Sequence, residues 1–350
     1  MITHPLSYTL MNACSAPVSH LAAHLEPSPS LPLDVRALGT VGSGLQRPEC
    51  VLATAQGDLY CADWRGGVAH LHPDGAQSLY LGEAPDGVVL KPNGIALLRD
   101  GSFLLTQLGA SDGGVYRLQR NGQVAPWLMQ VDRRDLPPTN FVVEDHAGRF
   151  WVTVSTRRQP RALGYRADCD DGFIVCVDQH GARIVADGLG YTNEVALHPS
   201  GNWLYVNETF ARRLSRFALR ADGSLGPRET VTNFGAGTFP DGLAFDEDGY
   251  AWVVSIVSNR LIRVAPDGAQ TLWLEDTDDE HLRWVEAAYL SGTMDRPHLD
   301  GMKSQRLRNI SSIAFAGTER RIGVLGCLLG DCLHTLAMPA PGVAPTHWHF

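Results

Sequence analysis

No stretch of this 350-residue chain approaches the ~20 consecutive apolar residues that a membrane-spanning helix requires. The opening residues, MITHPLSYTLMNACSAPVSHL, carry no Lys or Arg ahead of their mildly apolar part. Proline and polar residues break that part, so it makes a poor signal peptide. Cysteine is scarce and odd in number: Cys14, Cys50, Cys61, Cys169, Cys176, Cys327 and Cys332 are scattered, and no pair has zinc-knuckle spacing. That argues against a disulfide framework; Cys327 and Cys332 lie close together but read better as buried free thiols. Twenty-nine Lys and Arg stand against 38 Asp and Glu, a net charge of −9, with no dense basic run. Nucleic acid and anionic membranes are therefore poor partners. The single Gly-X-Ser-X-Gly match, GASDG at 109–113, stands ahead of the strand pattern GGVYRLQRNG rather than at a strand-to-helix elbow, so a serine nucleophile has no local support, and the histidines do not cluster with metal-ligand spacing. The terminal HWHF reads as a loose tail. The expectation is a soluble, cytoplasmic protein, with its oligomeric state left open.

Helical periodicity is also missing, except at residues 274–290, LEDTDDEHLRWVEAAYL, which suit a short helix. Present instead are 36 glycines and 21 prolines, enough for many tight turns. The stretch FPDGLAFDEDGYAWVV (239–254) shows how they are used: a turn at Pro240-Asp241-Gly242, a short apolar strand, a second Asp-Gly turn, then another strand.

The same pattern recurs as RPECVLATAQGDLYCADW (47–64), KPNGIALLRDGSFLLTQ (91–107), PTNFVVEDHAGRFWVTV (138–154) and YTNEVALHPSGNWLYVNE (191–208). A weaker copy is NISSIAFAGTERRIGVLG (309–326). Several copies continue into a third strand, as in GGVYRLQRNG and NRLIRVAPDG. The polar residues that lead the copies are Glu49, Asn93, Asn140, Asn193, Asp241 and Ser311, spaced by 44, 47, 53, 48 and 70 residues. A period of roughly 40–50 residues with about four strands marks a β-propeller blade. The fold class predicted is all-β: a six-bladed β-propeller with four-stranded blades around a central channel. Residues 1–40 form an N-terminal extension that contributes to ring closure, since an open ring would expose strand edges. Residues 41–345 form the propeller, with 271–307 a lid-like insertion before the last blade.

In a propeller the innermost strands line the channel, so the six leading residues should form one ring at one mouth. All six offer oxygen and none is basic, a set that suits a hard divalent cation. Asn and Asp ahead of a strand are also ordinary turn formers. Glu49 is not, and the joint occurrence at equivalent positions favours a metal site. Asn93 and Ser311 read as turn residues on this argument alone.

On the strength of PECVLATAQGDLYCAD, PNGIALLRDGSFLLT, NFVVEDHAGRFWVT, TNEVALHPSGNWLYVNET and FPDGLAFDEDGYAWV, the chain resembles the senescence-marker-protein/regucalcin and gluconolactonase family of six-bladed propellers. The resemblance covers most of residues 43–270 and fades afterwards. It implies one divalent metal ion held by Glu49, Asn140, Asn193 and Asp241, with Asn140 and a further channel residue, Asn93, facing substrate. Calcium is the first choice, with zinc, magnesium or manganese as alternatives. The chain departs from the family pattern at Asn140-Phe141-Val142, where Asn-Asp-Gly is common, at Pro138 in place of an Arg, and at Glu194 in place of a Gly. Losing polar groups and gaining Phe141 points to a substrate less polar than a sugar lactone.

The expected reaction is metal-dependent hydrolysis of a lactone or related ester, a small-molecule substrate. The cation would polarise the carbonyl and acidify water; Asp241, or failing it Glu194, would take the proton. Trp284 and His298, with Met302, are candidates for the substrate-facing side of the 271–307 insertion. Two rivals remain: a strictosidine-synthase-like or other non-hydrolytic propeller enzyme (condensation, isomerisation or cyclisation), and a non-catalytic propeller that binds a protein partner.

Overall fold

The chain is seen in a computed structural model, which describes residues 31–85 and 87–350. Most of the N-terminal extension, with Cys14 and the stretch weighed as a signal peptide, lies outside the described residues. Six four-stranded antiparallel sheets make the body of the molecule. Blade 1 runs Val51–Ala53, Leu59–Asp63, Gly67–Leu71, Gln77–Leu81, and blade 2 Pro92–Leu97, Phe103–Gln107, Val115–Leu118, Val124–Leu128. Blade 3 comprises Thr139–Glu144, Phe150–Val154, Gly172–Asp178 and Gly181–Leu189. Blade 4 comprises Thr192–Leu197, Trp203–Glu208, Arg213–Leu219 and Leu225–Asn233. Blade 5 is Thr238–Phe245, Ala251–Val257, Arg260–Val264 and Gln270–Glu275. Blade 6 takes Ile310–Ala316, Ile322–Cys327 and Leu333–Ala337, and its outermost strand is Gly39–Val41, from the other end of the chain. The innermost strands touch in a closed cycle from blade 1 round to blade 6 and back. The fold is a six-bladed β-propeller.

Burial explains why the inner strands lack clean alternation. Pro92–Leu97 and Ala251–Val257 are buried at every position, because neighbouring blades cover both faces. The outer strand Gln77–Leu81 alternates exposed and half-buried residues, as a one-sided strand does. Apolar clusters fill the spaces between blades, with Trp151 and Trp252 fully enclosed. Glycine matters where blades nearly touch at the axis. A Cβ at Gly94 would lie 2.7 Å from Phe141 Cα, and one at Gly242 2.5 Å from Ser312 Cα. Both approaches are to backbone, so no side-chain movement relieves them.

Between blades 5 and 6 lie two helices, α1 (Asp279–Leu290) and α2 (Arg296–Asp300). Asp278 caps α1 through the His281 amide at 2.7 Å, and Asp279 and Glu280 occupy the first turn, where the helix dipole favours acid. Residues 274 and 275 finish the last strand of blade 5, so the helix is shorter than its sequence pattern predicts. α2 is held by a capping box between Asp295 and His298. No helix among the described residues is long and apolar enough to cross a membrane. The six described cysteines are free; Cys327 Sγ lies 3.6 Å from the Cys332 carbonyl oxygen.

The terminal HWHF is ordered rather than loose. Trp348 is buried among blade 1 and blade 6 residues, and its carbonyl accepts the Ala55 amide at 2.7 Å. Burial pushes the His347 imidazole down to about 4; His334 falls to about 4 through burial and then the nearby Arg306 and Arg308. In an unfolded chain both titrate near 6.5. Stability is therefore full above about pH 6.5 and is lost as pH falls towards 4, by at most about 3 kcal/mol per histidine. Urea unfolding at pH 7 and pH 4.5 should show this loss, and His334→Phe with His347→Phe should shrink it. An equal loss in that double variant would assign the acid lability to other groups.

Candidate active site at the channel mouth

The ring residues owe their direction to breaks in strand pairing. The innermost strands of blades 2 to 6 each change register where the ring residue sits: between Pro92 and Ile95, Thr139 and Phe141, Thr192 and Val195, Pro240 and Leu243, and Ile310 and Ser312. A bulge of this kind turns a side chain out of the ladder and frees backbone groups. Hydroxyls and amides from the neighbouring strands take up those groups. Thr106 Oγ1 accepts the Gly94 amide at 2.8 Å and Ser255 Oγ accepts the Phe239 amide at 2.8 Å.

Further bonds run from blade to blade. Asn93 Nδ2 and Thr106 Oγ1 donate to the Asn140 carbonyl at 3.1 and 2.8 Å. Asn207 Nδ2 donates to the Asp241 and Gly242 carbonyls, both at 3.0 Å, and Thr209 Oγ1 to the Pro240 carbonyl at 2.8 Å. Ser311 Oγ donates to the Glu49 carbonyl at 3.4 Å, and Ser312 Oγ bonds the same oxygen. Blades 2, 4 and 6 thus prop the ring residues of blades 3, 5 and 1.

Glu49, Asn140, Asn193 and Asp241 line one small cavity of about 30 Å³. Asn93 and Ser311 are not in its wall; each serves as a strut onto the next blade, Asn93 through its side-chain nitrogen. Ser155 Oγ fixes Asn140 Nδ2 at 3.0 Å and Thr209 Oγ1 fixes Asn193 Nδ2 at 3.1 Å. Both carboxamide oxygens are left buried without a partner. A buried acceptor without a donor is costly. Beside them, burial and then the charge of Glu49 push the Asp241 carboxyl well above the usual carboxylate range, against the pull of Arg47 and Arg161. Two orphaned amide oxygens and two close buried carboxylates fit a hard divalent cation.

Glu194 lies apart from that cavity. Its Oε2 accepts the Leu243 amide at 2.8 Å, tying blade 4 to blade 5. Burial raises its carboxyl well above the ordinary range, the Leu243 amide opposes this, and Asp241 and Glu49 add to it. Phe141 lines a different space, a mostly apolar cavity of about 200 Å³ at the other end of the channel, together with Val51, Ile95, Val195, Leu243 and Ile313. Trp284 is 47% exposed and stacks on His298 at 4.1 Å. The His298 ring accepts the Asp295 amide at 3.1 Å as part of the α2 cap, so neither ring reaches the ring-residue cavity. Met302 is likewise absent from that wall, with its sulfur 3.0 Å from Asn259 Nδ2.

Three guanidiniums that the repeat pattern does not reveal share the cavity: Arg47, Arg161 and Arg296. Arg47 holds Glu49 Oε2 through Nε and Nη2, both at 2.9 Å. Arg161 donates to the Tyr191 hydroxyl at 2.9 Å from a short turn, Arg161–Gly164, in the loop between the second and third strands of blade 3. Arg296 opens α2. Tyr165, Tyr191, Phe210, Ile256, Leu299 and Leu328 complete an apolar wall. The one available signal was spacing. The 53-residue step from Asn140 to Asn193 and the 70-residue step from Asp241 to Ser311 exceed the other three, and the surplus is where Arg161 and Arg296 reside.

Comparison with known proteins agrees with this architecture. Residues 47–274 match the family model described as the SMP-30/gluconolactonase/LRE-like region. The 6-deoxy-6-sulfogluconolactonase of Pseudomonas putida is 33% identical over 226 residues, which is 60% of this chain and 68% of that protein. A gluconolactonase from Xanthomonas campestris superposes with a TM-score of 0.63 at 19% identity, over 86% of this chain and 89% of its own. A calcium-binding protein, regucalcin, from Agrobacterium tumefaciens gives 0.64 at 16% identity, over 89% and 97%. The matched residues contain five of the six ring positions and every blade but the last, so this chain belongs to the SMP-30/gluconolactonase/LRE-like family.

Proposed function

We propose that the chain hydrolyses a lactone bearing an acidic substituent, at a cation-dependent centre formed by Glu49, Asn140, Asn193 and Asp241. The observation that carries this reading is the pair of orphaned amide oxygens beside two buried carboxylates, in a cavity also walled by three arginines. Oxygen-only donors favour calcium over softer ions. A bound divalent cation supplies Lewis-acid polarisation of a carbonyl and acidifies water. Asp241, whose carboxylate lines the cavity beside the other three ring residues, accepts the proton of the attacking water. Arg161 and Arg296 hold an anionic group, for which guanidinium geometry is suited. Phe210, Ile256, Leu299 and Leu328 keep bulk water from the reacting carbonyl.

A substrate less polar than a sugar lactone would follow if Phe141 faced it. Phe141 faces the other cavity, and guanidiniums stand in the wall instead. The Pseudomonas putida relative is by name a lactonase of a sulfonated sugar acid, in keeping with an acidic substituent. Free buried cysteines suit a reducing compartment, so a cytoplasmic location goes with this reading.

Hydrolysis of sugar, alkyl and acid-bearing lactones and of aryl esters, after chelation and with calcium, magnesium, manganese or zinc restored, tests the proposal. Activity should vanish on chelation and return with calcium. Acid-bearing lactones should lead uncharged analogues by at least about tenfold in kcat/KM, a preference of ~1.4 kcal/mol that Arg296→Gln removes. At a hundred times its Kd, calcium should add about 2.7 kcal/mol of stability, read as a higher Tm. Inertness toward every lactone and ester with each metal present would leave the non-catalytic alternative standing.

A further inference from the structure

A second metal-competent cluster lies in blade 1, well outside the channel ring. Asp58 ends the turn before Leu59–Asp63, His70 is on Gly67–Leu71, and His72 follows that strand immediately. Their potential ligand atoms all lie within 4.8 Å of one another. Asp58 Oδ1 is 2.7 Å from His70 Nε2 and 4.0 Å from His72 Nδ1, and the two imidazole centroids are 3.7 Å apart.

The opposite nitrogen of each ring meets a hydroxyl. His70 Nδ1 lies 3.4 Å from the Tyr80 hydroxyl and His72 Nε2 3.0 Å from Ser78 Oγ. Ligating histidines are oriented in this way by an outer partner, which fixes the tautomer and aims the free nitrogen at the ion. Arg120 donates to the Tyr80 hydroxyl at 2.9 Å, which holds that hydroxyl in place beside His70. The His72 side chain is 34% exposed and Asp58 21%, which leaves an open edge for entry and for a water as fourth ligand.

The geometry points to a surface site for a borderline transition metal, zinc or cobalt in class, held by Asp58, His70 and His72. Two nitrogens and one carboxylate with an open position are zinc-type donors, unlike the oxygen-only channel ring. The two sites should sort ions by ligand chemistry, the hard cation to the channel and the softer one to blade 1.

Cobalt(II) reports such a site directly. Full-length protein is first given excess calcium to occupy the channel, then titrated with cobalt(II) while visible absorption and heat of binding are followed. One equivalent should bind with the strong visible bands of a four-coordinate ion, and zinc should bleach them. His72→Ala and Asp58→Asn should each weaken binding at least tenfold. Asp241→Asn should leave the bands intact, and His72→Ala should leave lactone hydrolysis unchanged. Absence of bands in the wild type, or bands that survive His72→Ala, would overturn the assignment whatever becomes of the channel site.

Discussion

Asp241→Asn should lower kcat/KM for lactone hydrolysis about 10³-fold, roughly 4 kcal/mol of transition-state stabilisation. Asparagine keeps the shape and the backbone position that Asn207 props, but removes both a negative charge and a proton acceptor. Asp241 is 3% exposed and shares its cavity with Glu49, so the lost charge is not made good by solvent. Glu194→Gln is the matched control. Its side chain bonds a backbone amide in the next blade rather than facing the cavity, so kcat/KM should fall less than about tenfold while thermal stability changes. Steady-state kinetics with melting curves for both variants decide between them. Full activity in Asp241→Asn, or a larger defect in Glu194→Gln, would move the base to Glu194.

Asp246→Ala should cost about 3–5 kcal/mol of stability with the ring residues left untouched. Asp246 is fully buried; it accepts the Trp252 indole N–H at 3.0 Å and the Tyr250 amide at 2.9 Å. Arg263 Nη2 reaches the same carboxylate at 2.7 Å. Removing it strands an indole N–H in the core and breaks a largely buried ion pair. Blade 3 repeats the device, with Asp145 accepting Trp151 Nε1 at 3.0 Å and Arg149 Nε at 2.7 Å. Urea unfolding should show the loss as a lower midpoint. A change below 1 kcal/mol would mean that Arg263 re-pairs, with Asp248 (3.6 Å away) its nearest alternative.

These two aspartates show why part of the molecule can be read from its sequence. Asp241 and Asp246 lie five residues apart in one repeat, and their counterparts recur in other blades because the inner strand and its turn are repeated units. Repetition converts weak local signals into a ring, so six blades and the four residues that share the cavity were legible. Loops outside the repeat carry no such redundancy. Arg161 and Arg296 reach the cavity from segments whose register nothing in the chain repeats, and Arg47 is set by a left-handed backbone angle of 52° just ahead of Glu49. Phe141 misled for a related reason: next to a bulge, one position decides which end of the channel a side chain enters. Trp284 and His298 pack on each other outside the cavity, a pairing to which the helical period is blind.

The pairing of Gly39–Val41 with Leu333–Ala337 also sets the order in which the molecule can be made. During synthesis the strand at 39–41 emerges some 290 residues ahead of the partner it pairs with. Blades 1 to 5 hold all four of their strands long before then, and a growing chain folds from that end. Until residues 333–337 emerge, the strand at 39–41 is an unsatisfied edge awaiting its complement, and the circle closes only on their arrival.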